Sequence, residues 1–402
     1  MVKIPAFEVE QWMDEYETTP GVLNIAETCA CSVSIAQLSE FHAEPSSILD
    51  FSRPMTYGAI LGSDELRRNI ASLYAEEQDD GVKSAPPVSA EDVIVTQGAI
   101  AANHLVFYSL VGPGDHVVCV YPTYQQLYTI PETLGAEVSL WKLKAEDGYV
   151  PDVSELEKLI KGNTKMIVIN NPNNPTGATT PASVLEKIIE IARARDITVF
   201  SDEVYRPLFH DATIPASPSA LSLGYDKVVV TSSMSKAWAL AGIRLGWATS
   251  PSKQITRQLA IARDYTTISV SQLDDQVARF ALSSAVRPNL LKRNVELART
   301  NLALLEKFVE EHGKNGVCEW VKPRAGTTAL VKFSRKGGEP VDDVAFCKDV
   351  LEKTKVMFVP AGLCFGHERD FKGYVRIGYV SDTEVLRQAL EKLSVYVAEN
   401  LN

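Results

Sequence analysis

The sequence predicts an α/β fold, with a mostly parallel central sheet sandwiched by helices and a smaller α+β domain attached. Three observations carry this reading. Short β-branched runs alternate with amphipathic helical patterns through the middle of the chain. The texture changes near residue 276, where long helices and isolated strands replace the alternation. No apolar run approaches the ~20 residues needed to cross a bilayer.

The elements follow in order. A strand over 93–96 leads into a helix over 99–110, and a strand over 115–120 into a helix over 124–134. The run 165–170 precedes a helix over 181–195, and 196–201 and 227–231 are two further strands. Strands that alternate with helices build an open parallel sheet covered on both faces, with functional residues at the carboxyl ends of the strands. Beyond 276 a long helix spans 286–311, with Leu291, Val295, Ala298, Leu302, Leu305 and Val309 spaced by four and three along one face. Strands over 328–333 and 374–379, a helix over 341–353 and a last helix from Thr383 complete the smaller domain. The expected division is an N-terminal arm with part of the small domain over 1–45, a large domain over 46–275 and a small C-terminal domain over 276–402.

A chain of 402 residues is long enough for two domains and a large core. Its net charge of −11 argues against nucleic-acid and anionic-membrane partners, so an anionic ligand must be held by locally gathered positive charge. The six cysteines form no CxxC pair, and Cys29-Ala-Cys31 has no second cluster to complete a metal site, so no metal is expected. Reduced cysteines and a start without a basic segment followed by an apolar one fit a soluble, cytoplasmic protein.

Four turns at strand ends offer complementary chemistry. Thr96-Gln-Gly98-Ala99-Ile100 places a glycine between strand and helix, where free N–H groups and the helix dipole suit a phosphate. Asn170-Asn-Pro-Asn-Asn174-Pro-Thr-Gly177 closes a buried strand with two Asn-Pro units, which fix the direction of the amide side chains. Phe200-Ser-Asp202-Glu-Val-Tyr205 supplies a carboxylate and a phenol just past a strand. Thr231-Ser-Ser233-Met-Ser-Lys236, with Arg244 eight residues on, supplies a hydroxyl, an amine and a guanidinium. A lysine after a strand is ordinarily a solvated charge; burial and a neighbouring cation would instead depress its pKa and make it nucleophilic. Together these turns offer a phosphate site, a pyridinium counter-ion, a phenol and an imine-forming lysine, the set that pyridoxal 5′-phosphate (PLP) needs.

From about residue 20 to the end, the chain resembles fold-type I PLP enzymes of the class I/II aminotransferase family. The resemblance implies that Lys236 forms the imine with the cofactor and that Asp202 keeps the ring nitrogen protonated. It implies that Asn174 and Tyr205 hydrogen-bond the ring oxygen and that Tyr124, in Tyr121-Pro-Thr-Tyr, stacks on the ring. Gly98, Ala99, Ile100, Ser233 and Arg244 would grip the phosphate. Tyr57, in Tyr57-Gly-Ala-Ile-Leu-Gly62, matches a tyrosine that reaches the phosphate of a neighbouring subunit, which implies a homodimer with shared active sites. Arg376, in Tyr374-Val-Arg-Ile-Gly, matches the arginine that binds the substrate α-carboxylate, with Asn174 beside it. Its alternative is a surface ion pair.

The chain departs from the family in its arm, Leu23-Asn-Ile-Ala-Glu27-Thr-Cys-Ala-Cys, where a glycine is usual. Glu27 is expected either to meet a cationic substrate side chain or to sit incidentally on an exposed arm. That arm, with Pro360-Ala-Gly-Leu-Cys-Phe-Gly366, is similar to the capreomycidine-synthase-like branch, whose members cyclise a hydroxylated arginine. Removal of the Cα proton of an L-amino acid is common to an aminotransferase, to β-elimination or replacement (a guanidino amino-acid cyclase) and to a C–S lyase. Aminotransfer is the leading expectation. A non-catalytic PLP-binding regulator would need a basic DNA-reading module, and the acidic stretch Glu8, Glu10, Asp14, Glu15 and Glu17 leaves no room for one.

Overall fold

The computed structural model describes residues 4–44, 47–75 and 88–401. The strands are β1 (Leu23–Asn24), β2 (Val93–Thr96), β3 (His116–Tyr121), β4 (Glu137–Lys142), β5 (Thr164–Asn170), β6 (Thr198–Asp202) and β7 (Val228–Ser233). They continue with β8 (Gly246–Thr249), β9 (Cys318–Trp320), β10 (Thr328–Phe333), β11 (Val356–Met357), β12 (Val359–Pro360) and β13 (Tyr374–Gly378). Among the described residues, seven of these form one sheet in the order β2-β8-β7-β6-β5-β3-β4. All its pairings are parallel except those of β8 with β2 and β7.

Alternation explains why this sheet is covered twice. Val118, Val120, Ile167, Ile169, Val228 and Val230 pack into one core with Leu185 and Ile188 of the Ala182–Ala194 helix. Their neighbours Val117, Cys119, Met166, Val168 and Val229 pack on the opposite face with Leu105, Val106 and Phe107 of the Gly98–Leu110 helix. Successive residues of a strand point to opposite faces, so strands that are apolar throughout demand helices on both sides.

A four-stranded antiparallel sheet, β12-β13-β10-β9, forms the second layer system. The Arg287–Gly313 helix packs against it, but its buried face is wider than the apolar seam expected. Asn294 and Asn301 are fully buried on it, while Leu291 and Val295 are only half-buried. The two amides are satisfied by backbone: Asn294 Nδ2 donates to Ala237 O at 2.8 Å, and Asn301 Nδ2 to Tyr379 O and Ser381 O at 2.8 Å each. Buried polar side chains are tolerated where such partners exist.

The N-terminal segment joins the two sheets. β1 pairs in parallel with β11. The chain then crosses to β13, where Gly378 N donates to Ile25 O at 2.8 Å, and runs on past Ala30 N→Lys236 O and Val33 N→Ala239 O. A Cβ on Gly378 would lie 1.6 Å from the Glu27 carbonyl oxygen, so only glycine lets the arm pass this close. The expected boundary between residues 45 and 46 lies outside the described residues. The edge strand β4 and the reversed strand β8 were not foreseen. β4 carries a partly exposed, polar pattern, and β8 is a run of only four residues that begins just after the Lys236–Arg244 segment.

Candidate active site

One end of the large sheet gathers the chemistry. Asp202 and Ser233 are the last residues of β6 and β7, and Asn170 is the last of β5. Because β8 runs antiparallel, its beginning lies where its neighbours finish: Gly246 pairs with both Thr96 and Ser233. Arg244, two residues before β8, therefore returns to the same edge, in a left-handed backbone conformation with φ 47°.

A cavity of about 650 Å³ opens at this edge. Lys236, Asp202, Tyr205, Asn174, Tyr124, Ala99, Ile100, Ser233, Arg244, Arg376 and Glu27 all line it. Gly98 sits directly beneath with φ 77°, and a Cβ there would come 2.8 Å from the Arg244 guanidinium. A Cβ on Gly246 would fall 2.5 Å from the Ala99 nitrogen. The first-turn N–H groups of the Gly98–Leu110 helix have no intrahelical acceptor, and a guanidinium and two buried serine hydroxyls, Ser233 and Ser235, stand beside them. Two glycines hold open a cradle whose donors suit a phosphate dianion.

Asp202 is buried and its carboxylate is held on both oxygens. Asn103 Nδ2 donates to Oδ2 at 2.9 Å, and the Val204 N–H donates to Oδ1 at 3.2 Å. Asn103 is in turn fixed by the Thr231 hydroxyl at 2.6 Å. Burial pushes the Asp202 carboxyl up to about 6, against the pull of Asn103, Val204 and Lys236. Such a group stays ionised when a cation faces it.

Lys236 Nζ donates to the Thr28 hydroxyl at 2.5 Å and reaches Cys29 Sγ at 3.7 Å. The expected depression of its pKa does not occur. Burial and Arg376 pull it down, but Cys29, Tyr205 and Glu27 outweigh them, and the amine is held above its ordinary value. The cation that acts on it is Arg376, not the sequence-near Arg244 on which the expectation rested.

Arg376 is 3% exposed, and among the described residues it has no ion-pair partner, which removes the surface ion pair. Nη2 donates to Ala26 O at 2.9 Å, Nη1 lies 3.4 Å from Asn174 Oδ1, and the guanidinium stacks 5.3 Å from the Phe365 ring. Its Nε has no partner. A buried guanidinium on a cavity wall without a counter-ion is a receptor for an anion.

Tyr124 is half-buried, and its hydroxyl donates to Glu10 Oε1 at 2.9 Å. Tyr57 is 80% exposed and stands apart from this chain's own cavity. Sequence reasoning passed over Asn103, Thr28, Cys29 and Ser235. Asn103 carried a signal, as the one amide in the apolar run Ala101-Ala-Asn-His-Leu-Val.

The model of the family described as aminotransferase class I and II matches residues 33–393. The chain belongs to this family. It is a PLP-dependent enzyme, and the donors just described fit that cofactor. A PLP-dependent aminotransferase from Streptococcus suis shares the fold with a TM-score of 0.88 and 37% identity, over 100% of this chain and 99% of that one. An aspartate aminotransferase of Thermotoga maritima is 29% identical over 84% of this chain and 82% of its own length. A capreomycidine synthase of Streptomyces vinaceus is 28% identical over 84% of this chain and 79% of its own. Among the described residues no helix of this aminotransferase-family enzyme is long and apolar enough to cross a membrane.

Proposed function

We propose that this enzyme is an aminotransferase that binds an L-amino acid by its α-carboxylate at Arg376 and removes its Cα proton with Lys236. The observation that carries the reading is that both side chains line the cavity that also holds Asp202 and the phosphate cradle. PLP supplies the electron sink that lets a Cα–H bond ionise. The residues supply binding and orientation. Gly98, Ala99, Ile100, Ser233 and Arg244 would hold the phosphate. Asp202 would keep the ring nitrogen protonated, Asn174 and Tyr205 would hydrogen-bond the ring oxygen, and Tyr124 would stack on the ring. Arg376, with Asn174, fixes the carboxylate so that Cα–H points at the Lys236 amine, an orientation effect. Lys236 then carries the proton away from Cα.

A large domain over 46–275 thus holds the cofactor, while the small domain over 276–402 and the arm complete the substrate side. We also infer a homodimer. Phe51, Met55, Tyr57 and Ile60 are 88%, 59%, 80% and 48% exposed, an apolar run that a second subunit would cover while Tyr57 reaches its phosphate. The free cysteines fit a cytoplasmic setting.

A second reading, β-elimination or replacement, is favoured by the arm: Thr28 and Cys29 put a hydroxyl and a thiol against Lys236 where the family usually has a glycine. The test is a single turnover of the holoenzyme with amino acids and no keto-acid acceptor. One equivalent of 2-keto acid per site establishes aminotransfer. Repeated consumption of substrate without an acceptor would overturn it in favour of elimination or cyclisation.

A further inference from the structure

The cavity is polarised. Its deep wall carries Arg376 and Lys236, whereas its mouth is lined by Glu10, Asp14, Glu17 and Glu27. The first three are spaced i, i+4 and i+7, Glu10 and Asp14 within the Glu8–Tyr16 helix and Glu17 as its C-terminal cap in helical conformation, so they form one row on one face, and that face looks onto the cavity. The helix is anchored on both sides of the opening. Trp12 Nε1 donates to Phe358 O at 3.0 Å on the small-sheet side. On the large-sheet side Gln125 Nε2 donates to Ala6 O at 2.7 Å, the Glu8 N–H donates to Gln125 Oε1 at 2.9 Å, and Phe7 packs 4.8 Å from Tyr124.

Among the described residues none of the four carboxylates has an ion-pair partner. They feel one another: burial, then Glu27, Asp14 and Glu10, push the Glu17 carboxyl above its ordinary range. Independently, the buried Arg376 lines the same cavity without an ion-pair partner among the described residues and calls for a carboxylate there. A ligand that satisfies both ends has a carboxylate at one end and a cation at the other.

We propose that the Glu8–Tyr16 helix is the specificity element of this enzyme, and that Glu10, Asp14 and Glu17, with Glu27, select amino acids whose side chain ends in a guanidinium or ammonium group. This rests on the proposed reading of the cavity as the binding site of an amino acid. Glu10 has a second task, because its hydrogen bond to Tyr124 ties the helix to the residue that covers the cofactor ring. Asp14 and Glu17 make no such bond and report on charge alone.

The experiment compares charged and uncharged isosteres: L-arginine against L-citrulline, and L-lysine against L-norleucine. Each is titrated into the holoenzyme, and its dissociation constant is read from the cofactor absorption. The charged member of each pair should bind about tenfold more tightly, since each exposed charge pair gives up to ~1 kcal/mol, or about fivefold. In Asp14→Asn/Glu17→Gln that preference should fall by fivefold or more while the constants for citrulline and norleucine stay unchanged. Glu17→Lys should abolish it. Equal affinity within each pair, or a preference untouched by both variants, would overturn the inference. A holoenzyme that also binds alanine and glutamate but prefers no cation leaves the amino-acid site standing and overturns this inference alone. One that responds to no amino acid overturns both.

Discussion

Gly98, Asp202, Ser233 and Arg244 stand at the ends of neighbouring strands of a single sheet, held by register. Arg376, Thr28, Glu27 and Glu10 come from a strand of a second sheet, an extended arm and an N-terminal helix, and they meet only because those pieces dock. The proposed cofactor side is therefore set by strand register, while the substrate side depends on the docking of separate pieces. Family members can keep the first and change the second, which fits a chain similar both to an aspartate aminotransferase and to a capreomycidine synthase.

Lys236 belongs to both sides, so its removal should have the largest effect. Lys236→Ala is expected to lower kcat by about 10⁴-fold, the upper range for a group that transfers the proton. The visible absorption of the lysine-bound cofactor should be lost as well, and a variant with full turnover would break the division at its centre.

The two sides separate with Arg376→Lys. A lysine cannot reproduce the planar fork, and losing a charged hydrogen bond of about 3 kcal/mol costs roughly a hundredfold in kcat/KM. Cofactor affinity should not move. If both fall together in steady-state kinetics and equilibrium dialysis, the two sides are not independent.

Two glycines sharpen the contrast. Gly98→Ala places a Cβ 2.8 Å from Arg244 at a positive φ, and Gly378→Ala places one 1.6 Å from the Glu27 carbonyl. Each strain is worth about 1–3 kcal/mol, so about fivefold to a hundredfold. The first should raise the cofactor dissociation constant and the second the KM for the amino acid. Swapped effects would refute the assignment of each glycine to its side.

The same division explains what was legible in the sequence. Gly98, Asn174, Asp202, Tyr205, Ser233 and Lys236 follow β-branched runs, and a run that ends in a turn shows which residues face the strand-end crevice. Arg244 was legible by the same segment, although β8, which brings it back, was not. Asn103 fixes Asp202 from within an apolar helix, where a lone amide marks a buried polar group but not the partner it meets 99 positions away. Thr28 meets Lys236 across 208 positions, and the row of Glu10, Asp14 and Glu17 gains its meaning from the cavity under it. From the sequence alone that row was only an acidic stretch.

The dependence on pH tests whether Asp202 belongs to the cofactor side alone. In the cofactor-free protein its carboxyl titrates near 6, raised by burial above an unfolded value of about 3.9. A raised carboxyl is more stable folded when protonated. Its contribution to stability is therefore complete below about 3.9 and is lost as pH rises through about 6, a total of about 3 kcal/mol. Cofactor binding has the opposite slope, because only the ionised carboxylate holds a protonated ring nitrogen. Affinity for PLP should weaken by about tenfold for each pH unit below 6. Melting curves and cofactor titrations between about pH 4.5 and about 7.5, a window that brackets the step near 6, would show the two opposite slopes. Asp202→Asn, which cannot titrate, should flatten both. A wild-type affinity that holds steady down to about pH 5 would mean that the Asp202 proton is not linked to the cofactor.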